Sequence, residues 1–364
     1  MHLTLHPLAG GSPQNLFARI HTYGVDREHR AKLIPAFTMG ILGQPSRFLV
    51  KRLYQQKLDA VNFTEDPIII LGHWRSGTTY LHHLLSLDPA FCYVSSFHAW
   101  LPELFILNDW FGRNMVKLSM PDKRPMDNIE LSLNKPEEEE FPLATTPSCS
   151  YIDSFYFPKN TREIFDHSVS FKSLSANEHE QWKLDYLRIL KFSYLSMPGN
   201  RLLLKSPANT ARIPTLLELF PKAKFIHLYR NPYEIFASKL HTLKQMNKAY
   251  GLQIISEAEL EENVFWIYRE VMGKFFEDQV LISPENLIEL RYEAFIVDPL
   301  STLSSIYTTF QIDSFAAALP QLSQYVDAQK KYQKNPYQMP SETIAKIYQN
   351  WSFTIDKWGY EPPT

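Results

Sequence analysis

The sequence predicts an α/β protein with a central parallel sheet flanked on both sides by helices. Four short apolar runs suggest it, at Pro67–Leu71, Arg201–Leu204, Lys224–Tyr229 and Asn286–Leu290. Runs of this length, apolar throughout, read as strands buried on both faces. Each leads through a turn into a helical pattern, at Thr78–Leu87, Ala211–Phe220, Tyr233–Leu240 and Pro299–Phe310. Strands alternating with helices imply parallel pairing with the helices as crossovers.

The other elements follow the same logic. Ser256 and Glu259 have the spacing of a capping box, which opens a helix reaching about Glu277. Residues 28–60 are helical in pattern, with Pro35 and Pro45 as breakers. Within them, Ser46–Ala60 sets Phe48, Leu49, Leu53 and Leu58 among Arg47, Lys51, Arg52 and Lys57. This basic amphipathic helix either packs on the domain with its cations solvated or rests on a membrane surface. Segment 100–200, which mixes aromatic, acidic and proline-containing stretches, is expected to be a cap inserted in the core. The whole 1–364 chain then reads as one domain with an N-terminal helical extension over 1–60.

Composition narrows the function. Of 364 residues, 37 are Lys or Arg and 39 Asp or Glu, a formal net charge of −2. No global basic field points to nucleic acid. Cys92 and Cys149 lack metal-ligand or CxxC spacing and are expected to be buried thiols. Met1–Gly11 shows no signal-peptide pattern, and no uncharged apolar run is long enough to span a bilayer. A cytoplasmic, reduced setting is the expectation.

The most informative run is Ile68–Tyr80. A strand enters a loop bounded by Gly72 and Gly77, and the loop enters a helix. This gathers backbone N–H groups and the positive helix end around one point, an anion site. The Gly72-to-Gly77 spacing equals that of the nucleoside-triphosphate P-loop, which makes the fold P-loop-like. A P-loop kinase or ATPase needs Lys after the second glycine, where this chain has Thr78. The cation is Arg75 instead, upstream, with Thr78 and Thr79 adding hydroxyl donors in the first helical turn.

A second anion site follows the strand Lys224–Tyr229. Arg230 ends that strand and can hold a phosphate bidentately, and Ser238 returns from the helix after Asn231-Pro232. Between the two sites, Leu204-Lys205-Ser206-Pro207 ends another strand.

Arg75-Ser76-Gly77-Thr78-Thr79 between strand and helix resembles the 5′-phosphosulfate loop of sulfotransferases that use 3′-phosphoadenosine 5′-phosphosulfate (PAPS), in the variant of the bacterial and tyrosylprotein branches. Arg230-Asn231-Pro232 with Ser238 resembles the family's 3′-phosphate motif, and Lys205-Ser206-Pro207 an element whose Lys touches the transferring group. The three motifs stand in family order over roughly 67–300. The resemblance implies a sulfotransferase acting by in-line displacement on a hydroxyl acceptor, with adenosine 3′,5′-bisphosphate (PAP) as product. It implies donor binding by Arg75, Ser76, Gly77, Thr78, Thr79, Tyr80, Arg230 and Ser238. Tyr80 matches an aromatic that stacks on adenine, and Lys334 falls in a late loop similar to one that folds over the nucleotide. Catalytic roles fall to Arg75 and Lys205.

The general base stays open between two candidates. His98 lies beyond the first helix, where relatives place substrate-contacting residues. Pro136-Glu137-Glu138-Glu139-Glu140-Phe141 resembles an acidic element of the bacterial branch, through Glu138 or Glu140. Its other reading is a solvated helix start, because carboxylates suit the positive helix end. His73 is expected to shape the loop, and His82 with His83 makes a poor metal pair. No Asp at a strand end reads as a Mg²⁺ ligand, and no metal is expected.

Aromatic and apolar residues in Phe97–Leu107 and Trp110–Leu118 suggest a small-molecule or lipid-like alcohol as acceptor. Two alternatives remain: a P-loop-type kinase or ATPase, and a non-catalytic nucleotide-binding protein of the membrane surface.

Overall fold

In a computed structural model of the chain, residues 10–100, 133–329 and 339–363 are described. The chain divides into two compact units. One comprises 1–63, 93–198 and 243–257, the other 64–92, 199–242 and 258–364.

The second unit holds an all-parallel sheet of five strands. They are β1 (Ile68–Leu71), β2 (Phe91–Cys92), β3 (Arg201–Lys205), β4 (Lys224–Tyr229) and β5 (Leu287–Arg291), in the order β2-β3-β1-β4-β5. Every residue of β1 is fully buried, as a strand flanked on both sides must be. The four predicted strands are present within one residue at their ends. β2 was not expected; two residues are too short for a periodic signal. Helices follow at Thr78–Leu85, Ile213–Leu219, Pro232–Tyr250, Glu257–Asp278 and Pro299–Thr309. The third runs ten residues past the predicted end at Leu240, because the polar stretch after Leu240 contains no breaker before Gly251.

Register decides what the sheet does. Ile70 of β1 lies opposite Lys205 of β3, and Leu71 opposite His227 of β4. The C-terminal ends of three adjacent strands therefore carry Lys205, the loop from Gly72, and Arg230. Ligands of open α/β sheets bind outside the carboxyl ends of the strands.

The first unit is helical. Pro13–Tyr23 begins with Ser12 accepting from the Asn15 amide, and Ala176–Ser196 with a reciprocal capping box between Ser175 and Glu178. Buried Arg19 is held by Asp153 at 2.8 Å and by the carbonyls of Thr146 and Ser148. The basic segment forms the helices Leu33–Leu42 and Gln44–Asp59, with Pro35 and Pro45 in their first turns, where proline costs no hydrogen bond. Cys92 is buried, which pushes its thiol up to about 12. Cys149 departs from expectation: it is half-buried, with its thiol directed to the His167 carbonyl at 2.9 Å.

Candidate active site

The loop between β1 and the helix Thr78–Leu85 is built around backbone strain. Gly72 has φ +142° and Gly77 φ +97°, regions that favour glycine. A Cβ at Gly72 would meet the Leu228 carbonyl, and one at Gly77 the Tyr292 ring. Arg75 also has positive φ, +76°, although it is not glycine. Such a conformation costs of order 1 kcal/mol or more and persists where neighbours over-determine it.

Those neighbours are visible. Thr210 Oγ1 accepts from the Gly72 amide at 2.8 Å and donates to its carbonyl at 3.2 Å. Arg75 Nε donates to Ser238 Oγ at 2.9 Å, and Arg230 Nη1 donates to the Arg75 carbonyl at 3.0 Å. The two motifs predicted to grip opposite ends of one donor are thus in direct contact.

The site's electrostatics are positive. Arg75 and Arg230 are joined by Lys205, 2% exposed at the end of β3, and by buried Lys239, whose ammonium lies 4.5 Å from the Trp74 ring centroid. The Arg230 guanidinium lies 4.5 Å from the Tyr292 ring centroid and forms an ion pair with Glu234. The helix Thr78–Leu85 has no side-chain cap, so its first amides are available to an anion. Thr78 is buried and Thr79 half-buried in that turn. Ser76 Oγ is buried with no hydrogen-bond partner among the described residues. An orphaned hydroxyl beside an uncapped helix end and several cations fits a bound anionic group.

Tyr80 stacks at 6.4 Å on Tyr325 and packs at 5.4 Å against Phe295. Burial pushes its hydroxyl up to about 12, so it offers a neutral ring. His73 is buried, with Nδ1–H donating to the Trp74 carbonyl at 2.9 Å and its ring 4.8 Å from Tyr268. Burial, aided by Lys239, pulls its pKa from 6.5 down to about 3. A neutral imidazole locked in this way shapes the loop. His82 is likewise held far below the imidazole range by burial, with Lys205 contributing.

The candidate bases lie in the first unit. His98 Nδ1 accepts from the Ser95 amide at 3.1 Å, and Nε2 pairs at 3.0 Å with Ser196 Oγ, which donates to the Ser193 carbonyl. Both ring nitrogens are therefore engaged. In the acidic run, Glu137 pairs with Ser96 Oγ, and Glu140 accepts from Ser150 Oγ at 2.8 Å and the Tyr151 amide at 2.9 Å. Glu137, Glu139 and Glu140 are buried; Glu138 alone of the four is half-exposed. The expected helix start at Pro136 is displaced. Pro136 bridges Ser95, and the Glu137 amide bonds the Val94 carbonyl, so a four-residue helix begins only at Glu140. Lys334 and the cap residues 101–132 lie outside the described residues.

Sequence reasoning missed Thr210, Glu234, Lys239, Tyr292 and Tyr325. Only Glu234 and Lys239 had a local signal, as neighbours of Ser238 on the helix after Arg230. The others reach the site through the fold alone.

The sheet order, the strained glycine loop and the uncapped helix end define an α/β protein of P-loop-like fold with an anion site at its strand ends. Comparison with known proteins then gives the family. Residues 67–316 match the sulfotransferase family, to which the chain belongs; it is a transferase of the sulfonate group. The chain is 32% identical over 314 residues, 86% of its length and 80% of the relative's, to the omega-hydroxy-beta-dihydromenaquinone-9 sulfotransferases Stf3 of Mycobacterium bovis and of Mycobacterium tuberculosis. In fold it is similar to sulfotransferase STF9 of Mycobacterium avium, with TM-score 0.69, 18% identity, and 97% of this chain and 98% of that one covered. STF1 of M. tuberculosis H37Rv gives TM-score 0.68 and 16% identity, covering 93% and 90%.

Proposed function

We propose that this enzyme uses PAPS as donor and transfers its sulfonate to the hydroxyl of a lipid-like alcohol. What carries the reading is the pair of contacts between the two anion motifs, Arg75 to Ser238 and Arg230 to the Arg75 carbonyl. Cradles this close suit the two ends of one 3′,5′-substituted adenosine. The residues fit the group: an uncapped helix end, an orphaned Ser76 hydroxyl and four cations.

When bound, the donor supplies a sulfur centre with a phosphate leaving group. The chain's residues position it and neutralise charge. Arg230 and Ser238 hold the 3′-phosphate, with Arg230 exchanging Glu234 for it. Arg75, Lys205, Ser76, Thr78, Thr79 and the loop amides would donate to its 5′ end and neutralise negative charge there. Tyr80 offers its ring face to the adenine; Lys334, the further candidate for the nucleotide, lies outside the described residues.

The acceptor hydroxyl must lose a proton. Glu138, the half-exposed carboxylate of its run, is assigned that role on its solvent access, with buried His98 as the alternative. Glu140 is tied to Ser150 and Tyr151 and serves structure.

The lipid-like acceptor rests on the hydroxylated menaquinone derivative in the relatives' name and on this chain's aromatic content. A cytoplasmic setting accords with two free cysteines. Peripheral membrane contact through 46–60 suits the same acceptor. Incubation with radiolabelled PAPS and a panel of polyprenyl alcohols, sterols, phenols and glycans tests the reading. Label is expected in the polyprenyl or quinone-type alcohols. Intact PAP binding with no labelled product from any acceptor would favour the non-catalytic alternative.

A further inference from the structure

The helices Leu33–Leu42 and Gln44–Asp59 leave their apolar residues on the outside. Ile34, Ile41 and Leu42 are 66%, 60% and 67% exposed, and Phe48 and Leu53 are 69% and 55% exposed. Helical spacing places Ile34, Phe37 and Ile41 on one face, and Phe48, Leu49 and Leu53 on one face of the following helix. The opposite side does the packing: Ala36 and Gly40, then Val50 and Leu58, are buried. An open groove of about 700 Å³ runs beside Leu33–Leu42, lined by Ile20, Val25, Leu33, Phe37 and Ile41, with Arg30 at its rim. Monomeric proteins rarely leave a contiguous apolar patch of this kind without a use.

Charge says what covers it. Residues 29–58 contain six Lys or Arg and no Asp or Glu, in a chain whose net charge is −2. Lys32 and Arg47 are spent on backbone carbonyls, at Gly251 and at Gly10, Gly11 and Gly40. Arg30, Arg52 and Lys57 are exposed. A second copy of the chain would bring this predominantly basic surface against itself, since a two-fold interface pairs the same patch, with Glu28 and Asp59 at its two ends as the acids nearest to it in sequence. Among the described residues no helix is long and apolar enough to cross a membrane. Exposed apolar side chains ringed by cations are instead the pattern of helices that lie in a lipid interface.

We propose that the outward face of these two helices is a docking surface for an anionic lipid bilayer, with Phe48, Leu49 and Leu53 entering the acyl boundary and Arg30, Arg52 and Lys57 meeting the headgroups. Docking needs no donor and is independent of catalysis.

The test is flotation of the full chain with vesicles of phosphatidylcholine, with and without phosphatidylglycerol. Binding is expected only with phosphatidylglycerol and should weaken as salt is raised. Arg52→Ala with Lys57→Ala should lower the vesicle partition constant about 20-fold, near fivefold per cation. Phe48→Ser with Leu53→Ser should lower it about tenfold or more. Both pairs should keep the wild-type melting temperature and PAP affinity, which shows that they fold. Equal binding to neutral vesicles, no binding to either, or unchanged binding by both variants overturns the proposal. So does a wild-type dimer in sedimentation that the Phe48→Ser, Leu53→Ser variant dissociates, because a second copy would then be the occupant.

Discussion

The glycine loop of the sheet unit and the candidate bases of the helical unit use their polar groups differently. In the sheet unit, the Ser76 hydroxyl is buried with no hydrogen-bond partner among the described residues, Arg75 is held at positive φ, and Arg230 is paired with the Glu234 carboxylate. In the helical unit, two of the candidate bases are already engaged. His98 uses both ring nitrogens, and Glu140 accepts from two donors. A buried hydroxyl beside an uncapped helix end and several cations fits an anionic ligand, whereas a full set of partners fits architecture.

The sharpest way to break that contrast is at the base. Glu138→Gln should lower kcat by about 10²–10⁴-fold with little change in PAP affinity. His98→Ala should mainly lower the melting temperature. The reverse pattern in steady-state kinetics would make His98 the base and would dissolve the distinction.

Next in size is the loop cation. Arg75→Ala should lower kcat by about 10²–10³-fold while PAP affinity changes little, because its guanidinium stabilises charge that develops during transfer. A loss confined to KM would reduce Arg75 to a binding residue.

Burial makes a third prediction. The His73 pKa is lowered from 6.5 to about 3, so between these values the unfolded imidazole binds a proton that the folded one does not. The stabilisation is complete above about pH 6.5 and is lost as pH falls toward 3; the loss by pH 5 is about 2 kcal/mol from His73 alone. Buried His82 and His227 shift in the same direction. Urea midpoints should fall between pH 7 and pH 5, and less steeply in His73→Gln; a flat profile would mean that the loop admits the imidazolium.

The smallest effect tests the exchangeable ion pair. Glu234 is 40% exposed in its pair with Arg230. Glu234→Gln should therefore tighten PAP binding by no more than about fivefold. Weaker binding in calorimetry would show that Glu234 orients Arg230 rather than competing for it.

Much of the sheet unit was legible in the chain because its signals are local. β1, the glycine-bounded loop and the first turn of Thr78–Leu85 form thirteen consecutive residues, and Arg230 lies nine residues from Lys239 on the next strand and helix. β2 escaped because two residues carry no period. Tyr292, Tyr325 and Thr210 escaped because folding alone brings them to the loop. The acidic run misled in one respect. Proline followed by carboxylates reads as a helix start, yet the backbone at Pro136 and Glu137 is taken by pairing with Ser95 and Val94. In the basic segment, the apolar residues were legible and their exposure was not, because the pattern alone does not say which face meets the core.

The central claim is that two touching anion cradles hold one bisphosphate nucleotide, and titration calorimetry tests it most directly. PAP should bind in the presence of EDTA, 5′-AMP at least tenfold more weakly, and Arg230→Ala should erase most of that difference by removing a charged hydrogen-bond donor worth about 1.5–3 kcal/mol. ATP with Mg²⁺ binding more tightly than PAP, or PAP and 5′-AMP binding alike to the wild-type protein, would contradict the account.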